Sequence, residues 1–189
     1  MSLLSYTELR NLQRRKVIEN SLPEHVNSAS IDITLGPHLL LEAARDTAQV
    51  LTGRLPIVSL KDRTPLHTVP WTLTEEKPAY TLEPGEFLLA QSAQVFNLPS
   101  TISCEYKMKS SGARSALNHS LAGWCDAGWH GSVLTLELKN ISRYHAIRLE
   151  LGDLIGQMIF FRHTAVPARA SYAKRGRYNN DKKVHGVKL

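Results

Sequence analysis

Tight turns recur along this chain with short stretches of β character between them, and few folds accept that rhythm. Ser30-Ile-Asp-Ile-Thr-Leu-Gly36 alternates apolar and polar residues and ends on glycine, the pattern of a half-buried strand. Glu83-Pro-Gly-Glu86 reads as a tight turn, because proline presets the first corner and glycine accepts positive φ at the second. Phe87–Ala90, Val95–Pro99, Ser132–Leu138, Ala146–Leu151 and Ile155–Phe161 follow as strands, with Gly152-Asp153 as a further turn. This spacing predicts a mainly β protein, a sandwich or barrel, and argues against a βαβ fold.

Two segments depart from the β rhythm at the ends. Ser5-Tyr-Thr-Glu8 has the spacing of a capping box with Leu9 and Leu12 behind it, which predicts a short helix over about 6–18. The last 25 residues carry almost no apolar periodicity and read as an arm. Residues 44–75, with Asp62, Pro65 and Pro70, read as loops with short strands. The chain of 189 residues is long enough for one domain with a real core.

The formal net charge of +6 is unevenly placed. From Arg162 onward there are eight Lys/Arg (Arg162, Arg169, Lys174, Arg175, Arg177, Lys182, Lys183, Lys188) against one acid, Asp181. A near-neutral body with a basic tail points to an anionic partner for the tail, or to a solvated end. Nucleic-acid binding is the weaker reading, since the tail has few aromatics for stacking. No stretch reaches the roughly 18 apolar residues of a membrane helix. The N-terminus lacks the basic start and apolar core of a signal peptide, so a cytoplasmic location is expected. Cys104 and Cys125 stand twenty-one positions apart outside any CxxC pair and read as two reduced thiols. The His-x-Glu and Pro-Cys-x-x-Cys elements of a zinc deaminase do not occur in the sequence.

The chemistry-bearing residues concentrate between Lys109 and Asn140. Lys109-Ser-Ser-Gly-Ala-Arg114 packs two cations, two hydroxyls and a glycine into six residues, suited to phosphate oxygens and equally to an ordinary loop. Ala122-Gly-Trp-Cys-Asp-Ala-Gly-Trp-His-Gly131 holds three glycines and an acid, which makes a shaped loop in which Asp126 satisfies turn amides or meets a ligand. In Ser132–Asn140 the alternation puts Leu134, Leu136 and Leu138 on one face and Thr135, Glu137 and Lys139 on the other. Glu137 is either half of a solvated pair with Lys139 or an acid whose desolvation suits it to proton transfer.

Taken in order, Ser30–Gly36, Lys109–Arg114, Asp126-Ala-Gly-Trp-His-Gly131 and Thr135-Leu-Glu-Leu-Lys-Asn140 resemble the dCTP deaminases of the dUTPase superfamily. Leu82–Phe87 resembles the turn before that family's central strands, Ile155–Phe160 its last core strand, and Tyr172 with Gly176-Arg-Tyr178 its closing arm. The resemblance covers nearly the whole chain except about 44–75, which stands out as an insertion. It implies a distorted β-barrel or jelly-roll body over 1–163 and an arm over 164–189 that closes over the nucleotide. It further implies a homotrimer with sites between subunits and a zinc-independent hydrolysis of dCTP to dUTP and ammonia.

By that resemblance Glu137 takes the proton from the water that attacks C4 of cytosine, and Ser110 and Arg114 support the water, the glutamate and the leaving ammonia. Asp126 and Gly123 belong to the sugar-side loop, Lys109, Ser111 and Arg177 hold phosphates, and Tyr172 closes on the nucleotide. Mg²⁺ enters on the triphosphate as a charge neutraliser, with no metal ligated by side chains. The Asp126-to-Glu137 interval runs one residue longer than the family pattern, so a bulge near Ser132 is expected. Asp181 stands where an amide is usual, which leaves dCMP and deoxycytidine open as substrates. A dUTPase, a bifunctional enzyme performing both steps, and a nucleotide-binding regulatory homologue without turnover are the competing readings.

Overall fold

The computed structural model describes residues 1–44, 51–53 and 55–188, so part of the expected 44–75 insertion and the last residue of the arm lie outside the described residues. Ser5 caps α1 (Tyr6–Arg14) through the reciprocal box with Glu8, and Leu9 and Leu12 are the residues it buries. The helix stops four residues short of the expected end. Lys16 turns to a φ of 53°, after which Ile18–Glu19 leaves as strand β2 and pairs with Phe96 and Val95.

Two antiparallel sheets make the body. One runs β1 (Ser2–Leu3), β13 (Leu154–Arg162), β8 (Ile102–Met108) and β10 (Trp124–Cys125), with β3 (Ile31–Thr34) also on β13. The other runs β5 (Thr68–Thr72), β4 (His38–Glu42), β7 (Phe87–Asn97), β11 (His130–Asn140) and β9 (Leu117–His119), with β2 on β7. A small ribbon joins β6 (Ala79–Leu82) to β12 (Ile147–Glu150). The mainly β expectation holds as a jelly-roll-like body; among the described residues the sheets do not close into a barrel. Their apolar faces meet in one core that includes Ile31, Ile33, Leu88, Phe96, Leu136, Leu138, Met158 and Phe160.

Several local readings change in the folded chain. β3 is buried at all four positions instead of half-buried, because it pairs with β13 on one side and packs near β7 on the other. Phe87–Ala90 and the Val95–Asn97 part of the expected Val95–Pro99 strand belong to one long strand, β7, which ends at Asn97. The Glu83–Glu86 turn forms as expected, with Gly85 at a φ of 84° and Glu86 N–H donating to the Glu83 carbonyl at 3.0 Å. The expected bulge also forms: the β11–β7 register slips between His130 and Ser132, with Gly131 at a φ of 64°. It re-aims the strand just before the catalytic candidates.

The arm does not float in solvent. The Tyr178 carbonyl accepts from Trp129 Nε1 at 2.7 Å and from Ser132 Oγ at 2.8 Å. Asn180 N–H donates to His130 O at 3.0 Å, and Val133 N–H donates to Asp181 O at 2.9 Å. Val184 is buried, and its N–H donates to Gln91 Oε1 at 3.0 Å. The tail lacks an apolar period because it docks as an extended chain on the outer face of β11 and β7, held mostly through its backbone.

Candidate active site

The outer face of β11 and β7 floors a cleft of about 520 Å³, a size suited to a small ligand. Glu137 lies on that floor, directly opposite Leu89 in the ladder, with Thr135 opposite Gln91. Leu136 and Leu138 are buried in the core behind it, while Leu134, at a second register slip between Val133 and Thr135, also borders the cleft. From Thr135 onward the alternation of the strand delivers Glu137 to the cleft. Trp124, Asp126 and Trp129 line one side, and Tyr172, Tyr178, Asp181 and His185 of the arm line another. Leu66 and Thr68, from the segment expected as an insertion, add an apolar wall beside Phe87 and Leu89.

Glu137 does not pair with Lys139. Its Oε2 lies 3.0 Å from Nε2 of His119, whose side chain is 3 % exposed against 24 % for Glu137. His119 sits on β9, whose register places it beside Leu138. Its Nδ1 accepts from the Leu121 backbone N–H at 3.2 Å. A backbone N–H only donates, so the network assigns the neutral ring's proton to Nε2, facing the carboxylate. Neither Nε2 nor Oε2 has another hydrogen-bond partner, and the contact between them is off the hydrogen-bond angle. The pair is aimed at shared space and not locked shut.

Behind His119 stands Tyr106, ring to ring at 4.6 Å. Burial first, and the Glu137 charge second, push the Tyr106 phenol well above its ordinary value. It therefore stays protonated and donates to the Ile155 carbonyl at 3.1 Å. Burial likewise raises the Tyr172 phenol at the cleft's rim. Gly123 lies against Tyr106 so closely that a Cβ would meet the Tyr106 carbonyl oxygen at 2.8 Å. It serves backbone contact with β8 and does not line the cleft.

The structure gathers some of the expected site residues and scatters others. Glu137, Asp126 and Tyr172 meet in the cleft, where Asp126 accepts from Trp124 Nε1 at 2.9 Å. Ser110, Ser111 and Arg114 lie on a short helical turn, α2 (Ser110–Arg114), exposed and away from the cleft of their own chain. Lys109 caps that turn and gives its ammonium to Asp32 at 2.7 Å. Arg177 is exposed. Sequence reasoning missed His119, Tyr106 and the apolar wall. A lone histidine and a lone tyrosine carry no spacing signal; the β9–β11 pairing brings His119 to Glu137, and the packing of Tyr106 on the His119 ring brings the phenol there.

No three His, Cys, Asp or Glu side chains converge as a metal cage among the described residues. The carboxylates of the cleft, Asp126, Glu137 and Asp181, suit a cation that arrives on phosphate oxygens and water more than a resident one.

Fold and site together define a jelly-roll-like protein with a carboxylate–imidazole pair on the floor of a cleft of small-ligand size, overlaid by its own C-terminal arm. Similarity to known proteins narrows this. A family model described as dCTP deaminase-like matches residues 3–163, and the chain belongs to that family. A "dCTP deaminase, dUMP-forming" of Methanospirillum hungatei is 30% identical over 171 residues, covering 86% of this chain and 81% of that one. One of the same name from Methanoregula boonei is 33% identical, covering 81% of this chain and 76% of that one. The crystal structure of 2'-deoxycytidine 5'-triphosphate deaminase from Agrobacterium tumefaciens superposes with a TM-score of 0.61 at 21% identity. It covers 87% of this chain, which spans 49% of that longer protein, and the likeness speaks for the fold.

Proposed function

We propose that this protein hydrolyses the 4-amino group from dCTP, with Glu137 as the general base and without zinc. The observation that carries the reading is the half-buried Glu137 carboxylate on the cleft floor, 3.0 Å from the buried His119 imidazole. Glu137 takes a proton from water as the oxygen attacks C4 of the cytosine ring. Glu137 passes that proton to the ring nitrogen N3 and then carries the second proton, from the hydroxyl of the tetrahedral intermediate, to the amino group, so that the C4–N bond breaks, ammonia leaves and the carbonyl forms. His119 stands 3.0 Å from Glu137 Oε2 and, once substrate and water fill the cleft, turns Nε2–H onto that oxygen, which leaves the other for the water. Asp126 holds the sugar hydroxyl, and the arm closes over the nucleotide through Tyr172. Mg²⁺ travels with the triphosphate and offsets its charge.

Ser110 and Arg114 act from a neighbouring copy. Their exposure on α2, away from their own cleft, supports sites shared between subunits of a homotrimer. In the same picture Ser111 and Arg177 meet phosphates. The relatives' name, dUMP-forming, favours a second step in which dUTP loses pyrophosphate at the same site, with Asp126 positioning the water.

The test is chromatographic. Protein with Mg²⁺ is incubated separately with dCTP, dCMP, deoxycytidine and dUTP, and the products are separated. A uracil nucleotide from dCTP is expected, as dUTP or, with the second step, as dUMP. Glu137→Gln is expected to bind dCTP and lose turnover by roughly 10²–10⁴-fold, the range of a general base. Near-normal turnover by that variant sinks the mechanism, and an unchanged dCTP peak with the parent protein sinks the activity.

A further inference from the structure

The arm carries one acid among its cations, and that acid sits in the cleft. Asp181 is fixed there by its backbone: its carbonyl accepts from Val133 N–H at 2.9 Å, and its N–H donates to Ser132 Oγ at 3.1 Å. Its side chain is 13% exposed and lines the same cleft as Glu137. Val133 and Glu137 are four residues apart on β11, about 13 Å along the strand. A nucleotide with its base at Glu137 and its phosphates running toward Ser132 would therefore meet this carboxylate. Left bare, Asp181 would repel each phosphate charge.

It is not left bare. The chain hooks back so that Lys188 Nζ contacts Asp181 Oδ1 directly. The same ammonium donates to the Arg177 carbonyl at 3.2 Å and lies 5.4 Å from the centroid of the Tyr178 ring. The Lys188 N–H donates to the Tyr178 hydroxyl at 3.4 Å. His185 Nε2 stands 3.8 Å from the same carboxylate oxygen. Three separate contacts thus set the Lys188 charge on Asp181.

We propose that the Lys188–Asp181 pair determines the phosphate count of the substrate: Lys188 cancels the Asp181 charge so that the arm accepts a triphosphate. The inference rests on the deaminase reading above and adds to it which charges of this chain select the triphosphate. Lys188 acts through Asp181 and is a positioning residue. Its loss acts on binding of the charged nucleotides and spares both the uncharged nucleoside and the chemical step.

The experiment compares the parent, Lys188→Gln, Asp181→Asn and the double variant, with dCTP–Mg²⁺, dCMP and deoxycytidine. Both kcat/KM and calorimetric binding are read. Lys188→Gln is expected to lower the preference for dCTP over deoxycytidine by about tenfold, through KM and binding and not through kcat. The double variant is expected to recover the parent's preference, and Asp181→Asn alone, which leaves the Lys188 charge uncancelled, to raise it. An equal loss on all three substrates would make the hook a plain structural anchor and overturn the proposal. So would no loss, or no recovery in the double variant. If the parent binds dCTP without turning it over, the deaminase reading falls, and the binding ratios still decide this one. If it binds none of the three, both fall.

Discussion

Replacing Gly156 by alanine puts the coupling from core to cleft to a direct test. Gly156 lies on β13 under the ring of Tyr106, and a Cβ there would fall well inside the 3.4 Å at which ordinary contact with the ring begins. The ring cannot simply swing away. Tyr106 is 4% exposed, its hydroxyl is tied to the Ile155 carbonyl, and its far face rests on His119. Overpacking of this kind costs about 1–3 kcal/mol, and breaking the hydroxyl's hydrogen bond adds about 1 kcal/mol. For a chain of this size each kcal/mol lowers Tm by about 2–4 °C, so a fall of about 5–15 °C is expected.

The displaced ring pushes His119 off Glu137. A misplacement on the order of 1 Å near the chemistry costs up to about 10²-fold, so kcat/KM should fall by about ten- to a hundredfold. Thermal unfolding by circular dichroism, at one fixed protein concentration, reads the first effect, and the deamination assay reads the second. The control is Tyr106→Leu, which removes the ring. On that background Gly156→Ala should add less than about 0.5 kcal/mol, because the clash has gone. A Tm within about 2 °C of the parent would refute the steric argument. So would an equal penalty in both backgrounds.

Two further outcomes follow from charged and titratable groups outside the cleft. Burial, and then the Lys183 charge on the docked arm, hold the His38 imidazole below its ordinary value. The unfolded chain therefore binds the proton first on acidification. The stabilisation is present above the unfolded value and is lost as pH falls through the lower folded one. Relative to His38→Gln, the parent should lose Tm between about pH 7.5 and 5.5, and a constant gap between the two would contradict this. Asp32, buried on β3, accepts from Asn27 Nδ2 at 2.8 Å and from Lys109 Nζ at 2.7 Å. Asp32→Ala strands a Lys109 side chain that is only 27% exposed. Discounted for that exposure, the expected loss is about 2–4 kcal/mol in urea unfolding, with the m-value unchanged. A loss below about 0.5 kcal/mol would mean the pair is fully screened.

What the sequence determined by itself is what depends on period and punctuation. Alternation along Ser132–Asn140 sends Glu137 to the face opposite Leu134, Leu136 and Leu138, and the structure keeps that division from Thr135 onward, Leu134 bordering the cleft at a register slip. The capping box at Ser5 and Glu8, the turn at Pro84-Gly85 and the bulge at Gly131 follow from backbone preferences that hold in any context. The order of four motifs was enough for the family. Helix length was less legible, because α1 ends where β2 finds a ladder partner on β7, and that partner is more than seventy residues away.

Only the tertiary structure decided which groups meet. Glu137 turns to His119 and not to its sequence neighbour Lys139, because the β9–β11 pairing brings a buried imidazole to it. Lys109 goes to Asp32, and Ser110 and Arg114 are exposed and do not line their own cleft. Asp181 finds its counter-charge seven residues on, through a hook that has no period to read. Contacts of this kind depend on strand order and on how a tail docks, and local preferences along the chain do not encode them.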